Sequence, residues 1–355
     1  MPRAFAATSA KPAAKPFTAL SADELQELMA GLGEPAFRTA QVVRWIYGAG
    51  VRSFEEMSDL PSALRSELAR SHRLRSLEIR SIAPSSDGLT RKLLLQAPDG
   101  VLVESVLLPR RSGFALCVSS QSGCAMGCPF CATGRMGFAR NLTGGEIVDQ
   151  FLLALGVARE QGSTVKSVVF MGMGEPLANR RNVKEAVAAL VSPEKCGLGA
   201  RHITVSTIGL RGRIRALAGW PWQVGLAVSL HAPNDALRER LVPAGARMGL
   251  AALMAECREY QRLTSRRVTY EYVMLDGVND LPEHRRELAE LLRGQLCHVN
   301  LIPYNSVAGA GFAASKPGAV VALKQALEKR GIATTVRASR GRDIAAACGQ
   351  LAAQA

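Results

Sequence analysis

Long apolar runs, acidic charge and paired cysteine motifs are what this 355-residue sequence has least of. The longest apolar stretch, near Phe151-Leu-Leu-Ala-Leu155, falls far short of the ~18 residues a membrane-spanning helix needs, which points to a soluble protein. The first residues do not read as a signal peptide, so none is expected, and eight cysteines in 355 residues are a thin supply for a secreted disulfide scaffold. A P-loop is excluded because no Gly-Lys-Ser or Gly-Lys-Thr occurs. Gly172-Met-Gly174 is followed by Leu177 where a dinucleotide fingerprint needs its third glycine, so that motif is broken. Acids number 30 against 44 Lys and Arg, a formal net charge of +14. The arginines cluster: Arg201, Arg211, Arg213 and Arg215 share a stretch without any acid, and Arg337, Arg340 and Arg342 crowd the C-terminal region. That pattern points to a polyanionic partner, nucleic acid first, with a generally Arg-rich composition as the bland alternative.

What is present is concentrated in one loop. Cys124-Ala-Met-Gly-Cys128-Pro-Phe-Cys131 places three thiols in eight residues with no fourth cysteine nearby. A cubane iron-sulfur cluster has four irons, so three thiolates leave one iron free for a substrate or cofactor, as a catalytic zinc keeps one open position. A zinc site would need a second pair or a histidine, and the nearest histidines are His72 and His202. The composition, 48% apolar, supports a large core.

Residues 1–18, rich in Ala, Pro and Lys without apolar period, predict a disordered basic tail. Residues 19–75 predict a helical unit. Ser21-Ala-Asp-Glu24 is a capping box before Leu25, Leu28, Met29 and Leu32; Val42, Val43, Ile46 and Tyr47 form a second stripe; Ser53-Phe-Glu-Glu56 is another capping box. Residues 76–112 predict a small β meander, with Asp87-Gly88 and Asp99-Gly100 as turn signals. Glu104 stands alone there among apolar neighbours. Unless paired, its carboxyl would be raised by desolvation and suited to proton transfer; a solvent-facing position on an edge strand is the competing reading.

From residue 113 to 355, β-branched runs alternate with helical stretches such as the one opened by Thr143-Gly-Gly-Glu146. The strands expected are Leu116–Ser119, Ser167–Met171, Ile203–Ser206, Val224–Ser229, Thr269–Met274, Val299–Ile302 and Thr334–Arg337. Repeated βα units imply an α/β fold with a parallel sheet, an open or closed (βα) barrel of six or more strands, its functional residues at the strands' C-terminal ends. The cysteine loop, Met171-Gly-Met-Gly-Glu-Pro176, Ser206-Thr-Ile-Gly209, Ser229-Leu-His231 and Pro303-Tyr-Asn305 all fall at such ends.

The cysteine loop, the Gly-Glu-Pro turn and the barrel resemble the radical S-adenosylmethionine (SAM) superfamily. Cys117-Val-Ser-Ser-Gln-Ser-Gly-Cys124, Gly137-Phe-Ala-Arg-Asn-Leu142, Ser229-Leu-His-Ala-Pro-Asn234, Asn300-Leu-Ile-Pro303 and Arg340-Gly-Arg-Asp-Ile-Ala-Ala-Ala-Cys-Gly-Gln-Leu351 are similar to the RlmN/Cfr-type ribosomal RNA adenine methyltransferases. The resemblance runs from about residue 20 to the end. It implies a 4Fe-4S cluster on Cys124, Cys128 and Cys131, and two SAM molecules per turnover. One SAM would methylate Cys348, and a radical made from the second would activate that methyl group for addition to the base. Cys117 would then release the product by forming a disulfide with Cys348. Glu104 matches the family's proton acceptor, with Cys117 competing for the proton. Gly174, Glu175, Ser206, Ser229, Leu230, His231 and Asn305 would contact SAM. Met173 departs from the two adjacent glycines common in the superfamily. The implied substrate is 23S rRNA, methylated at adenine carbon 2, with a transfer-RNA anticodon-loop adenine as a second target. A flavodoxin or ferredoxin would donate the electron to a cytoplasmic monomer. Carbon 8 methylation is the competing enzyme reading; a non-catalytic iron-sulfur or zinc RNA-binding protein is the competing non-enzyme reading. Cys196, Cys257 and Cys297 are expected to be small core residues.

Overall fold

A computed structural model describes residues 15–353. Ten strands make one mixed sheet: β1 (Glu78–Pro84), β2 (Arg91–Gln96), β3 (Leu102–Arg110), β4 (Gly113–Cys117), β7 (Val165–Phe170), β8 (Ile203–Thr207), β9 (Gly225–Ser229), β10 (Val268–Met274), β11 (Cys297–Pro303) and β12 (Ala333–Val336), in that spatial order. A separate two-stranded ribbon, β5 (Gln121–Gly123) with β6 (Phe138–Asn141), flanks the cysteine loop. From β4 to β12 every pairing is parallel. The strands from β8 to β10 are largely buried on both faces, which is why they read as near-continuous apolar runs, whereas β12 at the open edge is mostly exposed. No pairing joins β12 to β1 among the described residues, so the expected barrel is an open one.

The segment expected as a separate meander is one end of this same sheet. β3 pairs antiparallel with β4, Val106 opposite Cys117, and so covers what would be an unpaired barrel edge. Sequence alone hides this continuity, because hairpin turns fix local pairing and not what the outer strand meets next.

The helical unit packs against the helix Gly144–Arg159, whose Thr143 cap is made as expected. Val42, Ile46 and Tyr47 are buried and belong to the same apolar cluster as the barrel core. Asp149 on that helix accepts the backbone amides of Ser76 and Leu77 at 2.6 and 3.1 Å, and Arg159 donates to the carbonyl of Gly48 at 2.7 Å. Residues 1–14 of the expected tail lie outside the described residues. The remainder is ordered: Phe17 is buried edge-on against Phe54 at 5.0 Å, burying an aromatic side chain that contributes apolar area.

Candidate active site

The cysteine loop leaves the sheet after β4 and is closed by the β5–β6 ribbon. At its entry Gly123 has φ +72°, and an added Cβ would lie 2.1 Å from the carbonyl oxygen of Gly137, so only glycine fits. The amide of Cys124 donates to that same oxygen at 2.7 Å. Asn179, the N-cap residue of the helix Arg180–Val191, turns its amide inward and donates to the carbonyls of Ser120 and Leu142, both at 2.7 Å. The Gly-Glu-Pro turn is stitched to the same loop: Ser119 Oγ accepts from the amide of Met173 at 2.8 Å, and Gln121 Oε1 from that of Glu175 at 2.8 Å. Gly174, at φ +96°, is needed there because a Cβ would lie 2.5 Å from the Gln121 side chain.

Two cavities meet near the C-terminal ends of the strands, and the larger also runs along the barrel interior to Thr204, Thr269 and His298 near the N-terminal ends of β8, β10 and β11. The inner one, about 160 Å³, is lined by Cys124, Cys128 and Cys131 together with Gly174, Glu175, Ser206, Ser229 and His231. The outer one, about 850 Å³, is lined by Cys117 and by Arg110, Arg111, Arg337 and Arg340. Cys348, Asn305, Glu271 and Arg337 line both. Cys131 also borders both cavities, so the loop meets the outer space at its last thiol.

Burial pushes the thiol of Cys124 up to about 11 and those of Cys128 and Cys131 upward as well. Neutral thiols in a dry pocket become thiolates when a bound cation compensates the charge, and iron supplies that compensation. Cys124, Cys128 and Cys131 all line the inner cavity, and these three thiols would hold an iron-sulfur group there.

Most of the residues expected from sequence to contact SAM converge on the inner cavity. Glu175 is buried and its pKa rises by desolvation, while its two oxygens accept the amides of Ile208 and Leu177, each at 2.9 Å. His231 adopts φ +58°, and burial lowers its pKa to about 3, leaving a neutral ring. Its Nδ1 accepts the Val273 amide at 3.1 Å, which puts the ring proton on Nε2. Leu230 is the exception. Its side chain is buried in the core and borders neither cavity, and its amide donates to the Glu271 carbonyl at 3.0 Å. Asn305 spends its amide on the Cys348 carbonyl at 3.0 Å and its oxygen on Arg342 Nε at 2.8 Å.

Cys117 and Cys348 share the outer cavity, both as free thiols, 231 positions apart in sequence (348 minus 117). Burial raises Cys117 to about 12, with the neighbouring Cys348 pushing the same way and Arg337 opposing. Glu104 is elsewhere. It is buried, which removes the solvent-facing reading, and paired with Lys92 at 2.8 Å, but it borders neither cavity. Cys257 is buried as expected of a core residue, whereas Cys196 and Cys297 are partly exposed. Two further residues stand out: Glu271, passed over in the sequence, whose pKa is raised by burial and which accepts from Asn300 Nδ2 at 2.8 Å, and Arg337, read there only as part of an arginine cluster, whose pKa is raised by Cys348 despite its burial. Glu271 carries the same signal as Glu104, a lone acid in an apolar strand.

Two family profiles match this chain: "Ribosomal RNA large subunit methyltransferase N-terminal domain" over residues 17–74 and "Radical SAM superfamily" over residues 118–292. The dual-specificity RNA methyltransferase RlmN of Anaeromyxobacter dehalogenans is 51% identical over 341 residues, covering 94% of this chain and 91% of its own. The probable dual-specificity RNA methyltransferase RlmN of Symbiobacterium thermophilum is 47% identical, covering 95% and 91%. The crystal structure of a radical SAM methyltransferase from Sphaerobacter thermophilus superposes with a TM-score of 0.93 at 47% identity, covering 96% of this chain and 99% of the other. With the thiol triad, the SAM-side turns and the arginine-lined outer cavity on one sheet edge, the chain belongs to the RlmN-type radical SAM RNA methyltransferases, enzymes that use a 4Fe-4S cluster and SAM.

Proposed function

We propose that this enzyme methylates carbon 2 of an adenine in 23S rRNA, and of a transfer-RNA anticodon-loop adenine, with Cys348 as the methyl carrier and Cys117 as its disulfide partner. The observation that carries this reading is the position of Cys348, which alone among the eight cysteines lines both cavities besides Cys131 of the cluster loop. Cys124, Cys128 and Cys131 would hold the cluster, and Gly174, Glu175, Ser206, Ser229 and His231 would surround SAM. When bound, these groups supply the methyl carbon and the one-electron chemistry needed at a ring carbon that has no lone pair to attack a methyl group.

The chain's own residues then order the reaction. The backbone around Cys348 is tied to the cluster loop, since Ala132, next to Cys131, donates to the Gly349 carbonyl at 2.7 Å. This tie keeps the carrier sulfur beside the inner cavity while its other side meets RNA. Arg110, Arg111, Arg337 and Arg340 give the outer cavity the charge to bind phosphate, and the base must be unstacked to enter it. Cys117, protonated at rest, has to lose its proton before attacking the Cys348 sulfur. Of the carboxylates weighed, Glu104 borders neither cavity and Glu271 borders both, so we assign proton acceptance there to Glu271. The dual specificity in the relatives' names supports a second RNA substrate. We also assign the enzyme to the cytoplasm as a monomer served by a flavodoxin- or ferredoxin-type donor; no helix among the described residues is long and apolar enough to cross a membrane.

Mass analysis of the Cys348 peptide after incubation with SAM tests the carrier: an added methyl is expected, and its absence under turnover overturns the assignment. Adenine deuterated at carbon 2 or carbon 8 tests the position, since label lost from carbon 8 would establish the competing reaction.

A further inference from the structure

Arg238, on the helix Asp235–Leu241, is fully buried although its side chain carries a positive charge at any working pH. Its guanidinium is poorly satisfied. Nη2 donates to the Ile208 carbonyl, while Nε and Nη1 meet no hydrogen-bond partner among the described residues. The acid on the same helix is spent elsewhere, since Asp235 Oδ1 accepts the Leu250 amide at 2.7 Å. A charge at that depth without a partner is costly. Yet the fold makes room for it: a Cβ on Gly245 would lie 2.9 Å from Nη2 and 3.0 Å from Nη1, so the missing side chain there is the space the guanidinium fills.

The guanidinium sits on the side of the cysteine loop. Leu237 and Leu241, from the same helix, pack in one apolar cluster with Cys128, Phe130 and Ile208. Cys128 and Ile208 in turn line the inner cavity, which Arg238 itself does not border. Burial lowers the pKa of Arg238, and the Cys128 charge opposes that most, ahead of Asp235 and Cys257. Burial and the charges of Cys131, Cys124 and Glu175 raise Cys128, and Arg238 is the group that works against them.

Three thiolates leave a 4Fe-4S group net negative, and taking up one electron makes it more so. A fixed cation in a low-dielectric interior favours the more negative state, because little solvent screens the attraction. We infer that Arg238 is the buried counter-charge of the iron-sulfur group, acting from behind Cys128 to raise the potential at which that group accepts its electron. The inference rests on Cys124, Cys128 and Cys131 holding the cluster. It also gives the guanidinium the partner that the chain alone does not supply.

The test compares Arg238→Met and Arg238→Lys with the parent in the full-length chain, with and without the cluster. Titration with dithionite, followed by electron paramagnetic resonance, reads the midpoint potential. In Arg238→Met the ratio of reduced to oxidised cluster at a given potential is expected to fall about tenfold or more, a midpoint about 59 mV more negative for a one-electron couple. Arg238→Lys keeps the charge and should recover most of that shift. Thermal melting separates charge from packing. Without the cluster the guanidinium is uncompensated, so Arg238→Met should melt no lower than the parent, and loading the cluster should raise the parent's melting temperature by more than the variant's. An unmoved midpoint in Arg238→Met overturns the inference. So does an equal shift in both variants, the mark of a lost shape, or a cluster-free Arg238→Met that melts as far below the parent as the loaded one does. A parent that takes up no cluster fails the reading of the cysteine loop and this inference with it, whereas a loaded parent and variant with the same midpoint fail this inference alone.

Discussion

At the scale of single residues, the two cysteines proposed as methyl carrier and disulfide partner should fail differently. Cys348→Ala removes the proposed carrier atom, so no methylated RNA is expected at any enzyme concentration. Cys117→Ala leaves that atom in place, and a covalent enzyme–RNA adduct should accumulate on denaturing gels; free methylated RNA made at the parent rate would contradict the pairing. Glu271→Gln keeps the Asn300 contact and the volume of the side chain but cannot take a proton. We expect it to slow release by about a hundredfold or more, within the range general-base groups contribute, with Cys348 methylation unaffected. His231 should behave otherwise. Held neutral by burial, it contributes no titration to the rate near neutral pH, so an activity profile free of a histidine inflection is expected.

At the scale of elements, the joint between the helical unit and the barrel is the informative place. Burial raises Asp149 to about 7 from an ordinary 3.8, with Arg75 opposing the rise. A carboxyl whose folded pKa is raised binds its proton more tightly in the folded state. Its contribution is therefore fully present below the unfolded value and is lost as pH climbs through the folded one. Stability from this group should fall between pH 3.8 and about 7. Asp149→Asn keeps an acceptor for the Ser76 and Leu77 amides while removing the titration, so its melting temperature should vary less than the parent's across that window. Equal curves for the two proteins would show that Asp149 does not titrate there.

The same scale shows why some elements were legible in sequence and others not. The parallel strands coincide with the β-branched runs because a strand covered on both faces must be apolar at successive positions. The helix caps at Ser21 and Thr143 were legible because both partners of a capping box lie within four residues. The inward bonds of Asn179 and the join of the meander to the parallel strands were not legible, for a common reason. The groups that settle them, the carbonyls of Ser120 and Leu142 for one and β4 for the other, come from elsewhere in the chain.

At the scale of the whole molecule, the outer cavity gathers Arg110, Arg111, Arg337 and Arg340; Arg340 meets Asp87 at 3.6 Å and Arg337 lies beside Glu271, while Arg110 and Arg111 have no ion-pair partner among the described residues. Burial and the like charges of Arg337 and Arg340 together push Arg110 downward, a sign of crowded cations at one mouth. Replacing Arg110 or Arg111 with Ala should weaken RNA binding and reduce the steepness of its salt dependence by about 0.7 to 0.9 per arginine removed. Arg211 and Arg213, exposed and outside both cavities, should matter less. An equal change in salt slope for the two pairs would mean that RNA tracks over the surface and not into the cavity.

The sequence by itself determined the three-cysteine loop, the order of the parallel strands and their helices, and the turns at the strand ends. Each is written within a few residues, where chain geometry limits which side chains can meet. Tertiary structure alone decided which of eight free cysteines share a cavity, that Glu271 and not Glu104 borders it, and that Glu104 accepts the amides of Ala352 and Ala353. Those pairings join residues hundreds of positions apart, and they exist only once the sheet has set β3, β4 and the C-terminal segment side by side.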